Sequence, residues 1–326
     1  MVSQRIDLPG YRWKSPPAMG LQKLASVLAA TGLMTMVGCD KQRAPQAVAV
    51  REDGAMELKV MTFNVRYENR GDAGARAWGE RVVGCVRMIR SEGLDVFGIQ
   101  EGLHGQVADL RASLPDYDFH GVGRDDGKRR GEYAGIFFRK DRFDHDVEKS
   151  GTVWLSETPD QAGSKSWGND IPRVASWVRL VDRTCARGVW VVNMHLDHRN
   201  QISREKSVRS MARKLVKMNV DDEAVVWLGD FNAVEGNDAL LFLNGRATKE
   251  PVDGFAGLKE TFNALHPRER ARGSLHFWMS DPSRQWKVDH IFVSPRAEVL
   301  ESRVLKSGEP YLSDHFPVVG RIRFMD

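Results

Sequence analysis

Short apolar runs that break off at an acid, an amide or an imidazole recur along this chain, and they restrict its fold more than any other feature. Leu58-Lys59-Val60-Met61-Thr62-Phe63 alternates and closes at Asn64, and Leu94 to Ile99 closes at Gln100-Glu101. Val189 onwards closes at His195, and Ala224-Val225-Val226-Trp227-Leu228 runs into Gly229-Asp230-Phe231-Asn232. Asp289 within Val288 to Val293, and Asp314 with His315 before Phe316 to Phe324, are read in the same way as strand ends. Ala134 to Arg139 and Gly151 to Leu155 predict further strands, while Ala175 to Val181 and Val189 to His195 flank a polar turn as a hairpin does. Between these runs Trp78, Val82, Cys85, Val86 and Ile89 recur at helical spacing before Gly93, as do Val208, Met211, Ala212, Leu215 and Val216. Strands and helices interleave without a strict βαβ rhythm. That favours packed sheets covered by helices over a barrel or a doubly wound sheet.

Composition narrows the chemistry only a little. The 326 residues are 41% hydrophobic and 28% charged, as in a globular chain able to bury a large core. A net charge of +4, from 48 basic and 44 acidic residues, tolerates a phosphate-bearing substrate without the surplus expected of a dedicated duplex binder. The three cysteines form no CxxC pair, which speaks against a zinc knuckle or a thioredoxin-like motif. Cys85 reads as a small buried residue and Cys185 as part of a hairpin turn; a bridge between them would need an oxidising compartment.

Cys39 stands apart. Met19 opens a stretch with one lysine, then an apolar part from Leu24 to Val37, then Val37-Gly38-Cys39. The apolar part is too short for a span of about 20 residues but suits a secretory leader. Val37-Gly38-Cys39 resembles a bacterial lipobox, although Met36 stands where Leu is usual, and an ordinary cleaved signal is the alternative. The long leader before Met19 leaves the start at Met1 or Met19. The expected organisation is a leader over 1–39 with lipid attachment at Cys39, a flexible linker over 40–56 and a catalytic domain over 57–326. An exported lipoprotein on the periplasmic face of the cell envelope follows, or else a secreted protein.

Acids and amides are hard ligands suited to Mg²⁺ or Mn²⁺, which share coordination with substrate phosphates. Asp230 and Asn232, like His195 and Asp197, are two apart and would point to one side of an extended chain. The segments Thr62-Phe63-Asn64-Val65, Ile99-Gln100-Glu101, Asn193-Met194-His195-Leu196-Asp197-His198, Gly229-Asp230-Phe231-Asn232, Val288-Asp289-His290-Ile291 and Ser313-Asp314-His315-Phe316-Pro317-Val318 together resemble the endonuclease/exonuclease/phosphatase superfamily of metal-dependent phosphoesterases, in its order. Gly131 to Lys140 and Trp154 to Pro159 resemble a bacterial branch of it.

The resemblance implies an α+β fold, a four-layer α/β/β/α sandwich of two face-packed mixed sheets flanked by helices, with the site at one edge. It implies that Asp230 activates the attacking water and Asn232 bonds a phosphate oxygen. His195 would stabilise the phosphorane with Asp289 orienting it, and His315 would bind phosphate or move a proton. Glu101, Asn64 and Asp314 would serve the metal, Mg²⁺ or Mn²⁺. Arg66 stands where some DNA-repair members carry an acid, and is expected at the substrate with Tyr133, Arg173 and His276. The implied activity is a Mg²⁺-dependent phosphodiesterase or phosphatase acting by in-line attack, as a monomer. A secreted or periplasmic nuclease and a silent binding module are the other readings. Core packing is expected for most of Trp154, Trp167, Trp177 and Trp278, although they could stack bases or sugars, and Lys128-Arg129-Arg130 is expected in a solvated loop.

Overall fold

The computed structural model describes residues 54–325 apart from 219, 221, 222, 247, 248 and 269–272, all within a compact unit spanning Pro45–Asp326. The leader and Cys39 lie outside the described residues, as does nearly all of the expected linker; Met56 already belongs to the first strand. In chain order the elements are β1 (Met56–Asn64), α1 (Trp78–Glu92), β2 (Val96–Gly102), α2 (His104–Ser113), β3 (Tyr117–His120), β4 (Tyr133–Arg139), β5 (Phe143–Trp154), β6 (Val174–Asp182), β7 (Arg187–His195), α3 (Gln201–Lys217), β8 (Ala224–Asp230), α4 (Asp238–Leu243), β9 (Lys259–Glu260), α5 (Thr261–Leu265), β10 (Asp289–Val293), β11 (Glu298–Val304) and β12 (Val318–Phe324).

They form two six-stranded sheets, β11-β12-β1-β2-β4-β3 and β5-β6-β7-β8-β10-β9. Both are mixed: β1 and β2 run parallel, as do β7 and β8, while the neighbouring pairs are antiparallel. Period-2 alternation divides each strand between two cores. Leu58 and Val60 of β1 meet Val189 and Val191 of β7 and Val226 and Leu228 of β8 in the layer between the sheets. Met61 and Phe63 instead pack outwards with Trp78, Cys85 and Ile89 of α1. On the far side Trp227 and Phe292 pack under Val208, Met211 and Leu215 of α3. This is the expected four-layer sandwich.

Helix α1 ends where Gly93 takes a left-handed conformation (φ 58°) and returns its N–H to Arg90. Its most buried face is Trp78, Arg81, Cys85 and Ile89, so an arginine occupies a place the apolar stripe assigned to Val82. Cys85 and Cys185 are both free thiols, and burial pushes Cys85 up to about 12. Trp154 and Trp177 are core residues, Trp167 and Trp278 are half-buried, and Lys128-Arg129-Arg130 is exposed. Among the described residues no helix is long and apolar enough to cross a membrane.

Candidate active site

The alternation that builds the inter-sheet core also builds the site. In β1 the inward row runs Leu58, Val60, Thr62, Asn64; in β7 it runs Val189, Val191, Asn193, His195; in β8 it runs Val226, Leu228, Asp230. Each row is apolar along its length and turns polar where it reaches one end of the sandwich. Gln100 bridges the change, donating to Thr62 Oγ1 at 3.0 Å and Asn193 Oδ1 at 2.7 Å, all fully buried. Asp289 does not end a strand but opens β10, and Asp314 and His315 precede β12. Because these strands run antiparallel to β8 and β1, their beginnings fall at the same rim: Asp289 pairs with Asp230 in register.

Glu101 reaches the rim by a local distortion. Phe97 and Ile99 point out towards α1, and regular alternation would send Glu101 after them. A register shift between Ile99 and Gly102 and a φ of 65° at Glu101 re-aim its side chain. Asn232 is also left-handed, at φ 46°, so Asp230 and Asn232 do not lie along an extended chain. The Asn232 N–H donates to Asp230 Oδ1 at 2.9 Å, while its side-chain amide donates to the Leu196 carbonyl at 3.1 Å.

At the centre, Asn64 Nδ2 donates to Glu101 Oε1 and to Asp230 Oδ2, both at 3.0 Å. His195 Nε2 lies 3.6 Å and His315 Nε2 3.9 Å from Asp230 Oδ2. His315 Nδ1 meets Asp289 Oδ2 at 2.8 Å. Asp230, Asp289 and His315 each offer an atom within 4.8 Å of the others. Burial, then the charge of Asp289, raises Asp230 to about 7. Burial opposes the charge on His315, but Asp289, Asp230 and Asp314 outweigh it and carry the imidazole to about 10. His195 goes the other way, held well below its ordinary range by burial and by Arg173 and Arg124.

Several expected roles change. Asp289 orients His315, not His195, because β10 presents it to the loop before β12. The carboxylate nearest His195 Nδ1 is Glu132, at 3.8 Å. Asn64 turns its amide oxygen to the Arg66 N–H at 3.0 Å, while its NH₂ group clamps two acids. Tyr133 is not at the site: it packs on the α1 side of its sheet, and its hydroxyl donates to the Lys128 carbonyl at 2.9 Å. His276 is wholly buried and stacked on Phe316, with its pKa lowered to about 4 by burial and by His315.

The other expected residues do gather. Arg66 Nη1 lies 3.6 Å from Asp314 Oδ2, and Arg173 lies 3.6 Å from Asp197 and donates Nη2 to His198 Nδ1 at 2.9 Å. Glu132 and Arg124, which clasp each other at 2.6 and 2.8 Å, were not anticipated. The available signal was parity, since Glu132 shares a row with the inward Ile136 and Phe138.

Comparison with known proteins agrees with this geometry. The sequence profile of the Endonuclease/Exonuclease/phosphatase family matches residues 61–315. A solved endonuclease/exonuclease/phosphatase of Bacteroides vulgatus shares 31% identity at a TM-score of 0.75, covering 83% of this chain and 100% of that one. A mannosyl-6-phosphatase of Bacteroides thetaiotaomicron shares 31% at 0.69, covering 82% and 100%. D. rerio TDP2, solved with a single-strand DNA product, shares 18% at 0.61, covering 82% and 98%, a likeness of fold alone. No curated protein matches the sequence.

Proposed function

Since the chain belongs to the endonuclease/exonuclease/phosphatase family, we propose that it is a divalent-metal-dependent hydrolase of small phosphoesters, with sugar phosphates as its substrate class. The observation that carries this reading is the buried meeting of Asp230, Asp289 and His315, linked to Glu101 through Asn64. The likeness to a mannosyl-6-phosphatase over 82% of this chain and the mild charge of +4 support a small substrate over a nucleic acid.

The donor set fits a hard cation such as Mg²⁺ or Mn²⁺. Asp289 Oδ1 is buried with no hydrogen-bond donor among the described residues, and the acids of both sheets face one another. Glu101 and Asp314 are the side chains that would hold the ion, His315 being engaged by Asp289 through Nδ1. Once bound, it would neutralise charge on the phosphoryl oxygens. Asp230, poised near neutrality, accepts a proton from the attacking water and orients it in line with the leaving oxygen. His315 donates to a phosphoryl oxygen as negative charge builds there. His195 presents Nε2 beside Asp230, and Arg66 and Arg173 contribute fixed positive charge.

The test is hydrolysis by purified protein, with Mg²⁺ or Mn²⁺, of mannose 6-phosphate, a bis-aryl phosphodiester, phospholipid headgroups and DNA. Sugar-phosphate turnover abolished by EDTA is expected. DNA cleavage alone would move the reading to a nuclease, and no hydrolysis of any probe would overturn it. We also read the protein as a monomer exported to the cell envelope and lipidated at Cys39; fatty-acid labelling that survives Cys39→Ser would contradict the anchor.

A further inference from the structure

Arg81 is 2% exposed on the inner face of α1, and it is not part of the rim of acids and imidazoles. Every hydrogen bond it makes among the described residues ends on a backbone carbonyl. Nε donates to Arg76 O at 2.7 Å; Nη1 donates to Val65 O at 2.8 Å and Leu312 O at 2.7 Å; Nη2 donates to Arg66 O at 3.2 Å. A charge this deep is ordinarily matched by a carboxylate. Here two loops supply carbonyls as the hydrogen-bond partners, and the charges of Asp314 and Asp72 act from beyond hydrogen-bond distance.

Those loops are the ones that carry the site. Val65 and Arg66 directly follow Asn64, and Leu312 directly precedes Ser313-Asp314-His315. The loops also touch each other, since Ser313 Oγ donates to Asn64 O at 2.7 Å. The guanidinium lies 5.3 Å from the Trp78 ring and 5.6 Å from the Trp278 ring, which close off water on its flanks. One turn along α1, Gly84 gives close approach to the same loop: a Cβ there would sit 2.4 Å from Leu312 Cδ2. Only a planar fork with several donors can bond these carbonyls at once, and a lysine ammonium cannot span them.

We propose that Arg81 is a positioning residue for catalysis, which fixes the separation between the Asn64–Arg66 loop and the Leu312–His315 loop and so sets where Glu101, Asp314 and His315 meet cation and phosphate. The proposal rests on the hydrolase reading above. Its claim is that the network acts on the site's geometry and not only on stability.

The experiment compares wild type with Arg81→Lys and Arg81→Ala in thermal melts, in Mn²⁺ binding by calorimetry, and in turnover of mannose 6-phosphate or the aryl diester. Arg81→Lys should melt cooperatively yet lose about 10²-fold in kcat, the cost of a misplacement near 1 Å, with KM little changed. Its Mn²⁺ affinity should fall by about 10-fold or more, as on loss of an outer support. Methylguanidinium, and not methylammonium, should restore kcat to Arg81→Ala. Wild-type kcat and Mn²⁺ affinity in Arg81→Lys would overturn the proposal whatever the melts show, as would equal rescue by both cations. If wild type hydrolyses no probe, the hydrolase reading fails, and Mn²⁺ affinity in Arg81→Lys still decides for or against the loop geometry.

Discussion

The two halves of the rim are held from behind by different physics. On the sheet that contains β1, the site loops hang on Arg81, a permanent cation satisfied by neutral carbonyls. On the sheet that contains β8, the support is an ionic chain on the outer face of β10. Glu260 Oε1 meets Lys287 Nζ at 2.6 Å, and Lys287 meets His290 Nδ1 at 2.7 Å. His290 Nε2 meets the carbonyl of Ala233, just beyond Asn232, at 3.0 Å. Lysine has only donors, so His290 Nδ1 must accept and Nε2 must carry the proton it gives to Ala233. One half therefore depends on geometry and the other on charge, and they should fail under different conditions.

The largest effect should follow from breaking the ionic chain. Lys287→Met leaves Glu260 buried without its main counter-charge and should cost about 3–5 kcal/mol in urea unfolding. A loss below about 1 kcal/mol would mean that the chain is not what supports this half. Asp289→Asn, on the inner face of the same strand, should lower kcat by about 10²-fold or more in protein that still melts cooperatively, because His315 loses the carboxylate that orients it. Wild-type turnover in that variant would separate His315 from the chemistry.

Acid should sharpen the contrast. Burial opposes ionisation of Glu260, but the charge of Lys287 outweighs it and the carboxyl is held at about 2, against 4.5 ordinarily. A depressed carboxyl stabilises the fold fully above its unfolded value and loses that contribution as pH falls towards the folded one. The window is therefore pH 4.5 down to 2, and (4.5 − 2) × 1.36 gives about 3 kcal/mol. Denaturation curves across that window should show the loss in wild type and a reduced slope in Glu260→Gln. Among the described residues Arg81 has no carboxylate in hydrogen-bond contact, and a lysine keeps the charge that Asp314 and Asp72 feel, so Arg81→Lys should leave the acid slope as it is. The smallest effect belongs to Lys128→Ala and Arg130→Ala on the exposed loop, each expected within about 0.5 kcal/mol and without effect on kcat.

Much of this was legible in the sequence, and the limits have physical causes. Alternation reveals the row that turns polar at Asn64, His195 and Asp230, because a strand's period is fixed by its backbone. It misplaces Glu101, whose bulge breaks the period, although parity with Ile136 and Phe138 does mark Glu132 as inward, and parity with Phe137 marks Tyr133 as outward. The partner of His315 is a matter of register between β10 and the chain before β12, which neither segment states alone. Arg81 hides for a different reason: an arginine on a helix reads as solvated unless the carbonyls of distant loops are known to surround it. Strands β3, β9 and β11 are short or irregularly patterned and left no comparable signal.

The proposed hydrolytic centre draws acids and imidazoles from both sheets, with Asp230 where the halves meet. The most direct measurement is metal-dependent turnover by Asp230→Asn, made on protein that melts no lower than wild type. Loss of about 10²–10³-fold in kcat is expected, as when a group aimed at the transition state is removed. Turnover equal to wild type in that folded variant would contradict the account.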